Sequence, residues 1–122
     1  MRILVVDDEP VVLNCCGRIL EEQGHAVHLV GSAEAAMAAM AAEPCEVLLV
    51  DIKMPGRDGL DLVREIKQKW PETSVLVMTG YSTPDTVRQT RLAKADAFIA
   101  KPFTPDELLE LLNPILSKGG RR

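Results

Sequence analysis

The sequence predicts an α/β fold in which a parallel sheet is covered by helices on both faces. Strand-like and helix-like segments alternate five times along the 122 residues, a length that suits a single domain. Near-continuous apolar runs, typical of strands buried on both faces, lie at Ile3–Val6, Val47–Val50, Val75–Met78 and Phe98–Ala100. Strands that alternate with helices imply βαβ units with right-handed crossovers, and hence a parallel sheet.

The first half of the chain alternates three strands with two helices. The strands are expected at about residues 2–7, 26–30 and 46–50. The first helix runs from about Pro10 to Gln23, because Gly24 is a typical helix stop. Ser32 caps the second helix, which is rich in Ala and Met and ends before Pro44.

The second half continues the alternation with three helices and two strands. The strands are expected at about residues 74–78 and 97–100. Gly59–Trp70 is a helix that Pro71 stops. Thr83 and Pro84 open a fourth helix, which extends to about residue 93, with a capping hydroxyl followed by a proline at the first helical position. Thr104–Glu107 is a capping box that opens the fifth helix.

Composition excludes several classes of function. The net charge of −4 argues against direct nucleic-acid binding, which needs a basic surface. No apolar stretch approaches membrane-spanning length, and the first residues lack the pattern of a signal peptide. The odd number of cysteines, Cys15, Cys16 and Cys45, argues against a disulfide framework. We therefore expect buried or partly buried thiols in a cytoplasmic protein.

Polar residues follow the apolar runs at the points where the strands end. These residues are Asp7, Asp8, Asp51, Thr79 and Lys101. Because ligands bind outside the carboxyl ends of the strands in open α/β sheets, we expect these side chains to gather at one edge. Three crowded carboxylates repel one another unless a cation intervenes, and Mg²⁺ suits such oxygen ligands best.

The remaining polar groups of this set suit a phosphoryl group. Lys101 and Thr79, together with the metal, could hold three phosphoryl oxygens. A carboxylate can accept the group as an aspartyl phosphate. Asp51 is the best candidate for the acceptor, because Asp7 and Asp8 are better placed to hold the metal on the neighbouring strand.

Four motifs in order and spacing carry a family resemblance. They are Val5–Pro10, Asp51–Gly59, Met78–Tyr81 and Lys101–Phe103. Over about residues 2–116 the chain resembles the receiver domain of two-component response regulators. The resemblance implies a flavodoxin-like (βα)5 three-layer sandwich with a five-stranded parallel sheet of order 2-1-3-4-5. We expect a receiver domain at residues 1–116, and a flexible tail or the start of a linker at residues 117–122.

The resemblance also implies roles for the residues at the strand ends. Asp51 would take a phosphoryl group from a phosphohistidine of a sensor histidine kinase. Asp8, Asp51 and the backbone carbonyl of Lys53 would bind Mg²⁺, or Mn²⁺ in its place, with Asp7 acting largely through water. No organic cofactor is implied. Thr79 and Lys101 would bind the phosphoryl oxygens.

A second group of implied roles concerns the response to phosphorylation. Thr79 and Phe98 would form the switch, with Phe98 rotating inward as the loop after the fourth strand moves. Lys53 and Tyr81 would tune the lifetime of the phosphorylated state. The Lys101–Pro102 bond would be cis. Lys94 stands where such receivers usually carry glycine, at a helix end with left-handed backbone. The surface that would transmit the signal is therefore expected to differ from that of typical receivers.

The output itself is only hinted at. The segment Met78–Tyr81 is similar to the same segment in receivers that are joined to the ATPase and DNA-binding domains of transcriptional regulators. Regulation of transcription is therefore expected. Such an effector domain could be fused to the receiver or belong to a separate protein, and phosphorylation could produce a homodimer. We expect no turnover of external substrates, only phosphorylation and dephosphorylation of the chain itself.

Three alternatives stay open. A Mg²⁺-dependent phosphatase of the haloacid-dehalogenase kind needs a second Asp two residues after its nucleophile, whereas Glu9 follows the adjacent acids here. A flavodoxin needs a Ser/Thr/Gly-rich phosphate loop after the first strand, and Asp8–Pro10 would repel phosphate there. A binding module that works without phosphorylation is disfavoured by the complete acid set.

Overall fold

The computed structural model describes residues 1–53, 58–80 and 83–119, and a five-stranded parallel sheet forms its centre. The strands are β1 (Arg2–Val6), β2 (Ala26–Val30), β3 (Val47–Asp51), β4 (Ser74–Thr79) and β5 (Ala97–Ala100). Their order across the sheet is β2-β1-β3-β4-β5, which confirms the predicted flavodoxin-like topology.

Five helices connect or follow the strands. They are α1 (Pro10–Glu22), α2 (Ala33–Ala42), α3 (Gly59–Lys69), α4 (Pro84–Leu92) and α5 (Pro105–Gly119). The predicted caps are confirmed at α2 and α4, where Ser32 Oγ accepts from Ala35 N and Thr83 Oγ1 accepts from Thr86 N. Thr104 and Glu107 form the reciprocal bonds of a capping box at the start of α5.

The helices enclose two apolar clusters, one on each face of the sheet. Cys16 and Leu20 of α1 pack with Leu108 and Leu112 of α5 on one face. Residues of α2 and α3, among them Met40, pack on the other face. Successive strand residues point to opposite faces, so a central strand buried on both sides carries apolar residues at every position. This is the physical basis of the apolar runs in the sequence.

The register of the strands brings the predicted site residues to one edge. Val6 of β1 pairs with Val50 of β3, so that Asp7 and Asp51 follow side by side. Thr79 of β4 pairs with Ala100 of β5, directly before Lys101. The carboxyl ends of β1, β3, β4 and β5 therefore bring two carboxylates, one hydroxyl and one ammonium group to the same edge of the sheet.

Two further expectations concern the backbone. Lys94 has φ 68°, so a side-chain-bearing residue occupies the left-handed turn where glycine was expected. Helix α5 continues to Gly119, past the expected domain end at residue 116, and the division into domain and tail stays a prediction.

Across the described parts of the chain, no helix has the length and apolar character needed to cross a membrane.

The three cysteines are free, as expected from their odd number. Cys16 and Cys45 are buried, and burial raises the pKa of each thiol to about 11. The expectation of burial was wrong for Cys15, which is exposed. Neighbouring residues of a helix point in different directions, so Cys16 faces the core while Cys15 faces solvent.

Candidate functional site

Two buried carboxylates and one lysine form the centre of the site. Asp7 is completely buried and Asp51 is 3% exposed. Lys101 Nζ lies 2.7 Å from Asp7 Oδ2 and 3.1 Å from Asp51 Oδ2. These contacts join positions that are 94 and 50 residues apart in the chain, and they compensate the cost of burying two carboxylates.

The backbone holds the second oxygen of each carboxylate. Asp7 Oδ1 accepts a hydrogen bond from the Glu9 N–H at 2.9 Å. Asp51 Oδ1 accepts one from the Lys53 N–H at 3.0 Å. Each carboxylate therefore has one oxygen fixed by the chain that follows it and one oxygen facing Lys101, so both carboxylates are held in one orientation before any ligand arrives.

Lys101 is itself positioned by the end of the sheet. Its N–H donates to the carbonyl oxygen of Thr79 at 2.7 Å, which continues the pairing of β4 with β5 by one residue. The Lys101–Pro102 peptide bond is cis, as the resemblance implied. Through its contacts with Asp51 and Asp7, the ammonium group of Lys101 reaches back across the edge toward β3 and β1.

The electrostatics of the site follow from burial and from these contacts. Burial raises the pKa of Asp51, and the charge of Asp7 adds to this effect, while the Lys53 N–H and the Lys101 ammonium oppose it. Burial alone would lower the pKa of Lys101. The hydrogen bonds and charges of Asp7 and Asp51 outweigh that effect and raise it, so Lys101 remains a cation.

The carboxylates form a cluster that fits a hard cation. Asp7, Asp8, Glu9 and Asp51 each offer an oxygen atom, and these atoms lie within 4.8 Å of one another. Asp8 and Glu9 are exposed, whereas Asp7 and Asp51 are buried, and we call the exposed side of this cluster its mouth. Oxygen ligands with access to water are what Mg²⁺ prefers, since it usually keeps several water ligands. The donor set therefore fits the predicted metal.

The structure brings most of the predicted site residues together. Asp7, Asp51 and Lys101 are in direct contact, and Thr79 is buried at the adjoining strand end. Phe98 is half-buried on β5, where it packs against the apolar cluster under α2 and α3 rather than at the acidic edge. The position of Tyr81, predicted to tune the site, lies outside the described residues.

One residue of the site had no role assigned from the sequence. Glu9 Oε1 lies 3.3 Å from Lys101 Nζ, so a third carboxylate contacts the lysine. The available signal was its position directly after Asp7 and Asp8. The pairing with Lys101 could not be read from that position, because the two residues lie 92 positions apart.

Comparison with known proteins assigns the chain to a family. The family model for the response regulator receiver domain matches residues 3–113, and the chain belongs to this family. A receiver domain protein from Methanospirillum hungatei JF-1 superposes with a TM-score of 0.93 at 32% identity, covering 98% of this chain and 96% of that one. The chain is therefore a receiver domain of two-component signal transduction, a class of signalling switches.

Two longer proteins contain a similar domain. The chain is 37% identical over 116 residues to the sensory/regulatory protein RpfC of Xanthomonas campestris pv. campestris, covering 92% of this chain and 16% of that protein. It is 34% identical over 115 residues to the DNA-binding transcriptional regulator NtrC of Salmonella typhimurium, covering 94% of this chain and 24% of that protein. The chain thus spans about a quarter or less of these relatives.

Proposed function

We propose that this receiver domain is a phosphorylation-controlled switch in which Asp51 accepts a phosphoryl group from a phosphohistidine of a sensor histidine kinase. The observation that carries this proposal is the burial of Asp51 and the contacts of its two carboxylate oxygens. Asp51 is buried, one oxygen is held by the Lys53 N–H, and the other faces the Lys101 ammonium. A fixed and desolvated carboxylate beside a permanent cation suits an acceptor of a negatively charged group.

The transfer is a single displacement at phosphorus. A carboxylate oxygen of Asp51 forms the new P–O bond while the P–N bond to the histidine breaks. The electron pair of that bond stays on the ring nitrogen, and the histidine, which carries a proton on its other ring nitrogen, leaves as a neutral imidazole. Lys101 and the hydroxyl of Thr79 bind the phosphoryl oxygens as their charge shifts toward the acceptor.

The acidic residues of the pocket complete the proposed chemistry. Asp8, Asp51 and the carbonyl of Lys53 would hold Mg²⁺, or Mn²⁺, with Asp7 contributing through water. The ion supplies charge neutralisation for the incoming phosphoryl group. The described carboxylate oxygens support this assignment, because Asp7, Asp8 and Asp51 belong to a group of four acids whose oxygen atoms lie within 4.8 Å of one another.

The proposed response begins at the edge of the sheet and travels along β4 and β5. Thr79 moves toward the phosphoryl group, and Phe98 rotates inward as the neighbouring loop shifts. Lys53 and Tyr81 tune the lifetime of the phosphorylated state. The weak burial of α4, whose buried residue is Thr90, supports a mobile role for this helix.

The proposed output is the regulation of transcription in the cytoplasm. The similarity to a DNA-binding transcriptional regulator supports this proposal. The partners would be a sensor histidine kinase and an effector domain with ATPase and DNA-binding activity, either fused or separate. Phosphorylation could also produce a homodimer. The chain would catalyse only its own phosphorylation and dephosphorylation.

The test is phosphorylation by acetyl phosphate with Mg²⁺, followed by intact mass measurement. We expect the wild type to gain one phosphoryl group and Asp51→Asn to gain none. Asp61→Asn is a matched control, because Asp61 is an exposed residue that pairs with Arg64 on the surface of α3. It should be labelled like the wild type, and chelation of the metal should abolish labelling. An unlabelled wild type, or equal labelling of Asp51→Asn, would contradict the proposal.

A further inference from the structure

The ammonium group of Lys101 is fully occupied by carboxylates. It contacts Asp7 Oδ2 at 2.7 Å, Asp51 Oδ2 at 3.1 Å and Glu9 Oε1 at 3.3 Å. A lysine ammonium has three N–H donors and no acceptor. Since all three donors already have an acceptor, Lys101 must give up a contact before it can bind a phosphoryl oxygen.

The three contacts differ in how easily they can be released. Asp7 and Asp51 are buried, and a backbone N–H fixes the second oxygen of each. The side chain of Glu9 is 62% exposed, and within the described residues Lys101 is the one group that pairs with its carboxylate. Water can replace Lys101 at Glu9 at little cost, whereas a released Asp7 would remain buried without its cation.

We propose that Glu9 is a positioning residue that holds the third donor of Lys101 until a phosphoryl oxygen replaces it. This inference rests on the proposed function of Lys101 as a phosphoryl ligand. The contact of Glu9 with Lys101 stabilises only the state without a phosphoryl group. Glu9 therefore opposes phosphoryl binding, and it keeps Lys101 aligned at the mouth of the pocket where the group enters.

Two substitutions separate this contact from a general effect of charge. Glu9→Gln removes the charge and weakens the contact with Lys101. Glu9→Asp keeps the charge, but its side chain is one methylene shorter and cannot reach Lys101 in the same backbone position. Glu22→Gln is the control, because Glu22 is exposed at the far end of α1.

The measurement is the dissociation constant of the beryllium fluoride adduct at fixed Mg²⁺, from the ¹⁹F NMR signal of the bound form. We expect Glu9→Gln and Glu9→Asp both to bind the adduct about two- to fivefold more tightly than the wild type, the range for an exposed ion pair. The difference should shrink as salt is added, because salt screens an exposed pair. The contact also stabilises the folded protein without the adduct, so the melting temperature of the Glu9 variants should fall by no more than the small amount that an exposed ion pair contributes. A purely structural role of Glu9 would lower the melting temperature without tightening the binding of the adduct.

The outcomes separate this inference from the proposed function. If both Glu9 variants bind the adduct like the wild type, Glu9 does not compete for Lys101 and the inference fails while the proposed function stands. If Glu9→Gln binds more tightly and Glu9→Asp does not, the effect belongs to charge at the mouth, and the inference is again wrong. A wild type that neither binds the adduct nor accepts a phosphoryl group on Asp51 overturns the proposed function and this inference together.

Discussion

Helices α3 and α4 occupy equivalent places in the fold but are held very differently. Each follows a central strand that ends in a predicted site residue, Asp51 for α3 and Thr79 for α4. Helix α3 buries Gly59, Leu60, Leu62, Val63 and Ile66, whereas α4 buries Thr90. The hydroxyl of Thr90 donates to the Thr86 carbonyl oxygen at 2.8 Å, within the helix itself. Burial of apolar area therefore holds α3 far more strongly than α4.

The difference fits two separate tasks. The helix after Asp51 must keep the proposed phosphoacceptor in one position, and α3 begins so close to β3 that the Gly59 N–H donates to the Ile52 carbonyl oxygen at 3.1 Å. In the proposed switch, the helix after Thr79 moves when the site is phosphorylated. Elements with few buried apolar contacts open at low free-energy cost, so the weak packing of α4 suits an element that responds.

The largest effect is expected when one apolar side chain is shortened in each of the two helices. Ile66 of α3 is completely buried, so Ile66→Ala should lower the free energy of unfolding by about 2–5 kcal/mol in urea denaturation. Val87 of α4 is only half-buried, and Val87→Ala should cost less than about 1 kcal/mol. Equal losses in the two variants would contradict the claim that α3 is the more strongly held helix.

A second test uses the glycine that begins α3, Gly59, and the glycine that directly follows β4, Gly80. A Cβ on Gly59 would lie 2.4 Å from Ile52 Cα and 2.6 Å from the Asp51 carbonyl oxygen. Because backbone atoms must shift, Gly59→Ala should cost about 1–3 kcal/mol of unfolding free energy and slow the labelling of Asp51 by acetyl phosphate.

Gly80, directly after β4, is the matched control for Gly59. A Cβ on Gly80 would meet no atom of the described residues within 4 Å, so Gly80→Ala should leave stability unchanged or raise it by up to about 1 kcal/mol. The same loss of stability at both glycines would show that the close approach of α3 to β3 is not the cause.

The third test concerns the turn after α4. Lys94 has φ 68°, a conformation that costs a residue with a Cβ about 1–2 kcal/mol, so Lys94→Gly should raise the free energy of unfolding by about 1 kcal/mol. Lys94→Ala removes the same side chain but keeps the Cβ, and it should give no such gain. A gain with alanine as large as that with glycine would place the effect in the lysine side chain instead of the backbone.

The smallest expected effect is on the surface of α4. Arg88 and Asp85 pair at 2.9 Å, but their side chains are 70% and 71% exposed. Arg88→Ala should therefore change the free energy of unfolding by less than about 0.5 kcal/mol, and added salt should make the change smaller still. A loss of unfolding free energy above about 1 kcal/mol would be as large as that of a buried contact. It would show that ion pairs, and not apolar packing, hold α4 in place.

Most of the fold could be predicted from the sequence because its signals are local. The apolar runs predicted four of the five strands, and the caps at Ser32, Thr83 and Thr104 marked the starts of three helices. The predicted boundaries differ from the observed ones by about one residue at β1, β3 and β4, because periodicity does not determine where a strand stops pairing.

The candidate site could be predicted only in part. Its members were identified from their positions after strands, and the strand order placed Asp7 beside Asp51. The contact of Lys101 with Glu9 was missed, since no local pattern links residues 92 positions apart. The exposure of Cys15 was missed as well, because two adjacent cysteines do not reveal which of them faces the core.

The sequence by itself determined which segments are strands and helices and which polar residues end the strands. These properties depend on backbone preferences and on the period of apolar residues, which act over a few positions. Only the tertiary structure decided that Asp7 and Asp51 are buried, that Lys101 contacts three carboxylates at once, and that α3 is held more tightly than α4. Those distances arise from sheet register and helix packing, where segments far apart in the chain meet.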